Sequence, residues 1–298
     1  MRYLLLCLLM LCLPCQASII AKIQQKAWLH GAEDCKQNND AAIDVLQVDA
    51  DTYILRQNKC IHYEAPFIYI MFGHQAVFIQ DTGATEDADD FPIYATVRAL
   101  INQWQTQHNS GNLQLIVTHS HSHDDHYAGD QQFAGKDGVS LISPDSAAVR
   151  EYFAFSDWPQ GQAKLDLGGR ELVIIPLPGH QQDALGVYDP QTQLLLSGDT
   201  FYPGRLYVRQ WQDYKQSIQR LVEFSQDHPI AALLGSHIEM SKIPGKDYPT
   251  GSHYQPAEAA LPLSVQDLIE LNTHLQTMAK AQRLVLDKVI VVPVADNE

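Results

Sequence analysis

The residues able to do chemistry are densest between Thr118 and Gly129, where four histidines and two aspartates occur within twelve residues. Counted from His121, the stretch reads His-x-His-x-Asp-His, with His121, His123, Asp125 and His126 as its elements. Imidazole nitrogens and carboxylate oxygens are donors that a borderline cation such as zinc accepts, and tight spacing on one loop fixes their directions before metal arrives. A merely solvated, histidine-rich loop is the simpler alternative. Against it stand three more donors, His180, Asp199 and His237, each placed after an apolar run and beside a glycine or serine.

Those runs are the elements that must position the donors. Residues 113–117 are mostly branched and apolar without helical spacing, which predicts a buried strand ending where the histidines begin. Strands over 171–176, 194–197 and 230–234 lead in the same way to His180, Asp199 and His237. Four strands that end in ligands would bring them to one rim of a sheet-based α/β fold. Upstream, 42–48, 52–56, 67–72 and 75–80 read as an antiparallel meander with a turn at 72–75, stopping at Asp81-Thr82-Gly83. Ile93, Val97, Leu100, Ile101 and Trp104 carry the spacing of a helix over 91–108. A strand is expected over 139–142, and helices over 144–153 with Ser143 as N-cap, over 214–224 and over 265–282. Hairpins are expected at 168–169 and 189–190, loosely helical spacing near the N-terminus, and a final strand over 284–292. The Gly-, Pro-, Tyr- and Ser-rich stretch 238–262 reads as a long loop that shapes a pocket or lid.

Seven donors are too many for one tetrahedral zinc. They suit two metals ~3.5–4 Å apart that share a carboxylate and a water, and Asp199 supplies the second carboxylate. The set resembles the metallo-β-lactamase superfamily, in its His-x-His-x-Asp-His, then His, Asp and His at strand ends, with Asp81-Thr82-Gly83 ahead of them. The resemblance covers about residues 42–240. It implies an αββα sandwich and two zinc ions, one on His121, His123 and His180, the other on Asp125, His126 and His237, with Asp199 bridging.

Such a pair makes hydroxide available near neutral pH and polarises a carbonyl, so hydrolysis is the expected reaction. Asp125 would orient the hydroxide and pass a proton to the leaving group. The expected substrate is a small ester, lactone or thioester, or weakly a β-lactam. The bridging Asp is kept in thioesterases of the glyoxalase II kind and in lactonases, whereas zinc β-lactamases generally place Cys or another residue there. An iron-dependent sulfur dioxygenase-like oxidoreductase and a phosphodiesterase are the alternatives.

Tyr202 and Arg205, just past Asp199, are candidates for oxyanion support and for meeting a substrate carboxylate; Tyr127, Phe155, Trp158, Tyr207 and Tyr248 are further pocket candidates. His119 falls outside the frame and reads as a supporting or solvated residue. His253, in the long loop, reads as a pocket or surface residue.

A net charge of −15 without a Lys/Arg cluster disfavours nucleic acid as a partner. Residues 1–17 combine an early Arg with an apolar core and then Ala17, which reads as a signal peptide. A lipid anchor at Cys15 is the second reading. The expectation is a periplasmic or secreted chain with one domain over 18–298 and no stable membrane insertion once the signal is removed. Oligomeric state has no signature in the sequence. Removal of the signal leaves Cys35 and Cys60, for which an oxidising compartment suggests one disulfide, two buried free thiols being the alternative.

Overall fold

The structure, a computed structural model, describes residues 13–294. The core of the expected signal peptide, residues 1–12, and Cys7 and Cys12 with it, lies outside the described residues. In chain order the first half comprises α1 (Leu13–Gln25), β1 (Ile43–Gln47), β2 (Thr52–Gln57), β3 (Phe67–Phe72), β4 (Ala76–Gln80), α2 (Ile93–His108), β5 (Gln114–Thr118), α3 (Asp124–Tyr127), β6 (Val139–Leu141) and α4 (Ser146–Tyr152). The second comprises β7 (Ala163–Asp166), β8 (Glu171–Pro176), β9 (Leu185–Asp189), β10 (Leu194–Gly198), β11 (Arg205–Val208), α5 (Trp211–Asp227), β12 (Ala232–Gly235), α6 (Val265–Thr277), β13 (Leu284–Val285) and β14 (Ile290–Pro293).

The apolar runs are continuous because both faces of their strands are covered. On β2, Ile54 faces the space between two sheets while its neighbour Leu55 faces α2, as strand alternation requires. Three apolar layers result. Val97, Ile101 and Trp104 of α2 pack on the outer face of the first sheet. Ile54, Phe67, Tyr69 and Phe78 meet Leu172, Ile174, Val187 and Leu196 between the sheets. Tyr214, Ile218 and Leu221 of α5, with Leu268 and Leu271 of α6, cover the outer face of the second. This is the expected αββα sandwich.

The first sheet has the order β1-β2-β3-β4-β5-β6 and the second β12-β10-β9-β8-β7. The meander β1 to β4 is antiparallel, and β5 then runs parallel to β4. In the second sheet β12 is parallel to β10, which is antiparallel to β9, itself antiparallel to β8. The C-terminal ends of β8, β10 and β12 therefore share one edge, as do those of β4 and β5.

Four expectations change. Asp145, not Ser143, caps α4, since its carboxylate accepts from both Ala147 and Ala148 N–H while Ser143 Oγ donates to it. The C-terminal helix stops at Thr277. The segment after it is a hairpin, β13 with β14, rather than one strand. β14 also pairs in parallel with β11, a strand absent from the sequence reading, to make a small third sheet. Cys35 and Cys60 form a disulfide between the N-terminal segment and the turn after β2. The loop 238–262 is clamped: Arg56 makes a two-pronged ion pair with Glu258, and His253 Nδ1 and Gln255 N–H contact Lys59 and His30 carbonyls. No described helix is long and apolar enough to cross a membrane.

Candidate metal centre

All seven predicted donors converge at the shared edge. His121 and His123 leave β5; α3 carries Asp125 and His126, one turn further on. His180 follows β8, Asp199 follows β10 and His237 follows β12. Gly198 lies at φ +52, and a Cβ there would stand 2.8 Å from Ser120 Cβ, so only glycine lets the two loops approach this closely. The loops are also tied by the backbone, Leu185 N–H donating to Ser120 O at 2.8 Å and Phe67 N–H to Ser236 O at 2.7 Å.

The donors form two groups. His121 Nε2, His123 Nδ1 and His180 Nε2 lie 2.9, 3.0 and 3.2 Å from one another. Asp125 Oδ2 is 3.2 Å from both His126 Nε2 and His237 Nε2, which are 3.4 Å apart. Ligands ~2.0–2.1 Å from one tetrahedral zinc stand roughly 3.3 Å apart, so each triangle matches one face of such a site. Asp199 spans them, with Oδ1 3.4 Å from His237 Nε2 and Oδ2 3.7 Å from His180 Nε2. Asp199 Oδ1 is buried without a hydrogen-bond partner. A buried carboxylate oxygen left unpaired is costly, and a cation on either side removes that cost.

The outward ring nitrogens are held in turn. Asp81 Oδ2 accepts from Ser120 Oγ at 3.0 Å and from His126 Nδ1 at 3.0 Å, and Ser120 N–H donates to Asp81 Oδ1 at 2.6 Å. With its own proton given to Asp81, Ser120 Oγ accepts from His121 Nδ1 at 3.1 Å. His180 Nδ1 donates to Tyr207 O at 2.7 Å and His237 Nδ1 to Glu64 O at 3.1 Å. Each bond fixes the tautomer that turns a lone pair inward.

The two groups differ electrically. Burial and the neighbouring rings hold the His121 imidazole well below its ordinary range; burial lowers His123 to about 4 and His180 to about 3. His126 and His237 are shifted upward although burial opposes their charge. Asp125, Asp81 and Asp199 act on His126, while Asp199 and Asp125 bring His237 to about 9. Burial raises Asp199 to about 6, and Asp125 is lowered despite burial by His126 and His237.

Other expectations fare differently. The Tyr202 hydroxyl donates to Arg205 O at 2.5 Å and lies 3.1 Å from Glu239, so its ring, edge-on to His237 at 5.5 Å, rather than its hydroxyl borders the centre. Arg205 is paired with Glu239 and Asp247 and donates to Tyr248 O, which commits it to holding the loop. Tyr207 reaches Arg205 with its hydroxyl and His180 with its carbonyl. Tyr127 donates to Asp124, and Phe155 packs on Trp158. His119, read as supporting or solvated, is buried and binds Asp130 at 2.8 Å, and exposed His253 packs edge-on to Tyr63. Asp81 was read as a strand end and as part of the motif ahead of the histidines, with no role of its own; its positive φ of +72 marks it as a specially held residue.

A sandwich with donors at the shared strand edge defines a class of metal-binding fold, and comparison with known proteins narrows it. The profile of the metallo-beta-lactamase superfamily matches residues 65–237, and the chain belongs to this superfamily. It is 22% identical over 204 residues to the human acyl-coenzyme A thioesterase MBLAC2, covering 57% of this chain and 72% of that protein. It is 29% identical over 147 residues to a hydroxyacylglutathione hydrolase of Brucella ovis, spanning 48% of this chain and about half, 53%, of that enzyme. These relatives are hydrolases. Among solved structures, a metallo-beta-lactamase from Pontibacter korlensis aligns with a TM-score of 0.50 at 19% identity, over 79% of this chain and all (100%) of that one, which bears on the fold alone.

Proposed function

We propose that the protein is a dinuclear zinc hydrolase that cleaves a small carbonyl substrate, an ester, lactone or thioester. The observation that carries this reading is Asp199, whose two oxygens face two separate triads and whose Oδ1 has no other partner. The donor set fits zinc, with four histidine Nε2, one histidine Nδ1 and two carboxylates. When bound, such a pair lowers the pKa of water towards ~7 and polarises an attacked carbonyl.

The chain's own residues do the rest. Asp81 and Ser120, with the carbonyls of Tyr207 and Glu64, hold four rings at fixed angles, so little reorganisation is needed as charge develops. Asp125 faces His126 and His237 with Oδ2, and its exposed edge orients the attacking water. As the new C–O bond forms and the C–O or C–S bond to the leaving group breaks, Asp125 takes the proton from water and returns it to the departing oxygen or sulfur. Tyr202 is not given the oxyanion role, its one proton being committed to Arg205 O.

Thioesters stand first among candidates, because relatives are named for acyl-coenzyme A and hydroxyacylglutathione. We also propose export, supported by the Cys35–Cys60 disulfide, and a single hydrolase domain over 18–298. The test is a panel of thioesters, lactones, β-lactams and phosphodiesters offered to zinc-loaded protein. Cleavage of a carbonyl substrate that chelation abolishes supports the reading; turnover surviving full chelation, or confined to phosphodiesters, overturns it.

A further inference from the structure

Four of the five histidines in the centre turn Nε2 inward. His123 alone turns Nδ1 inward, 2.9 Å from His121 Nε2 and 3.0 Å from His180 Nε2. Its outer nitrogen is therefore Nε2, and that atom meets the side-chain amide of Gln181. If Nδ1 offers its lone pair to a cation, the neutral ring must carry its proton on Nε2. The partner of that N–H has to be an acceptor. Gln181 stands with its amide nitrogen at the contact, and a half-turn of the amide puts the carbonyl oxygen there without moving the rest of the side chain.

Gln181 is well held for such a task. Its backbone carbonyl accepts from Gly179 and Ala184 N–H at 3.3 and 3.4 Å, closing the turn that carries His180. Two residues on, Asp183 accepts from Ser122 N–H at 3.3 Å. The turn from the second sheet thus grips the loop from the first at Ser122 and at His123.

We propose that Gln181 is a positioning residue that accepts the Nε2 proton of His123 through its amide oxygen, locking the tautomer that presents Nδ1 to the first metal. The inference rests on the two-metal reading. Its reach is specific: Gln181 acts on the all-histidine triad and leaves the carboxylate-bearing triad alone.

The test pairs Gln181→Met, similar in length but a poor acceptor, with Gln181→Glu, which keeps an acceptor at the same position. Zinc titration is expected to show the first site weakened by about 10–100-fold in Gln181→Met and kept or tightened in Gln181→Glu, with the second site unchanged. Nitrogen NMR of zinc-loaded wild-type protein is expected to place the His123 proton on Nε2 and to show it protected from exchange, a readout independent of either variant's folding. Two zinc ions bound equally well by wild type and Gln181→Met, or a His123 proton on Nδ1, would overturn this inference alone. A wild-type chain that binds no zinc would overturn the two-metal reading and this inference together.

Discussion

Two buried polar clusters sit at opposite ends of the space between the sheets, and they are built on opposite rules. At the far end Arg170 pairs with Asp189 at 2.6 Å, and donates to Asp51 O at 2.7 Å and Thr52 Oγ1 at 2.9 Å; Asp189 also accepts from Thr192 N–H and Oγ–H. Every charge there has its counter-charge within the chain. At the near end seven donors converge, Asp125 and Asp199 face the donor histidines themselves, and Asp199 Oδ1 is left without a hydrogen bond. The first cluster is complete as folded and ties the sheets together. The second gathers groups able to hold a metal around a carboxylate oxygen that has no hydrogen bond, which is the physical difference between a structural clamp and a candidate site.

The sharpest break in the comparison is at the near end. Asp125→Ala and His123→Ala are expected to lower kcat by more than about 100-fold, the equivalent of several kcal/mol of lost charge stabilisation, while circular dichroism shows a folded protein. Next comes the far end: Arg170→Met leaves Asp189 buried without its partner, and denaturant titration should register a loss of roughly 3–5 kcal/mol with zinc content unchanged. A smaller effect follows from chelation. Zinc at 100 times its Kd stabilises by about 2.7 kcal/mol, so EDTA should lower the thermal midpoint of wild type and of Arg170→Met alike.

The least effect, and the most diagnostic, is on pH. In the metal-free protein His123 and His180 have folded pKa values depressed to about 4 and about 3, so their contribution is present above the unfolded value of ~6.5 and lost as pH falls through those values. His237, raised to about 9, contributes below ~6.5 and loses that contribution as pH rises through about 9. The thermal midpoint of metal-free protein should fall on both flanks. Zinc entering the second triad at pH 7 must displace protons from His126 and His237, whereas the first triad releases none. Calorimetry in buffers of different ionisation enthalpy should find proton release with the second ion only.

The near end was legible in the sequence because five donors obey one rule, a His or Asp beside Gly or Ser after an apolar run, and Asp125 and His126 follow within the same tight spacing. His121, Asp199 and His237 needed nothing more. The residues that orient them were not legible for the same reason that they work. His180 and His237 are held by the backbone carbonyls of Tyr207 and Glu64, which any side chain would supply. Asp81 also ends an apolar run, yet its contacts with Ser120 and His126 are seen only once β4 lies beside β5. The partners of Tyr202 were not legible because its hydroxyl goes to a carbonyl three residues on and to Glu239 from a distant loop. The strand β11 escaped notice because only four residues form it, and its partner β14 lies more than eighty residues away.

The account rests on two cations bridged by Asp199, and metal analysis of the purified chain alongside Asp199→Ala addresses that most directly. Two zinc ions per wild-type chain, falling to one in the variant, is the predicted result. One iron per chain, or a single zinc that Asp199→Ala leaves in place, would contradict it.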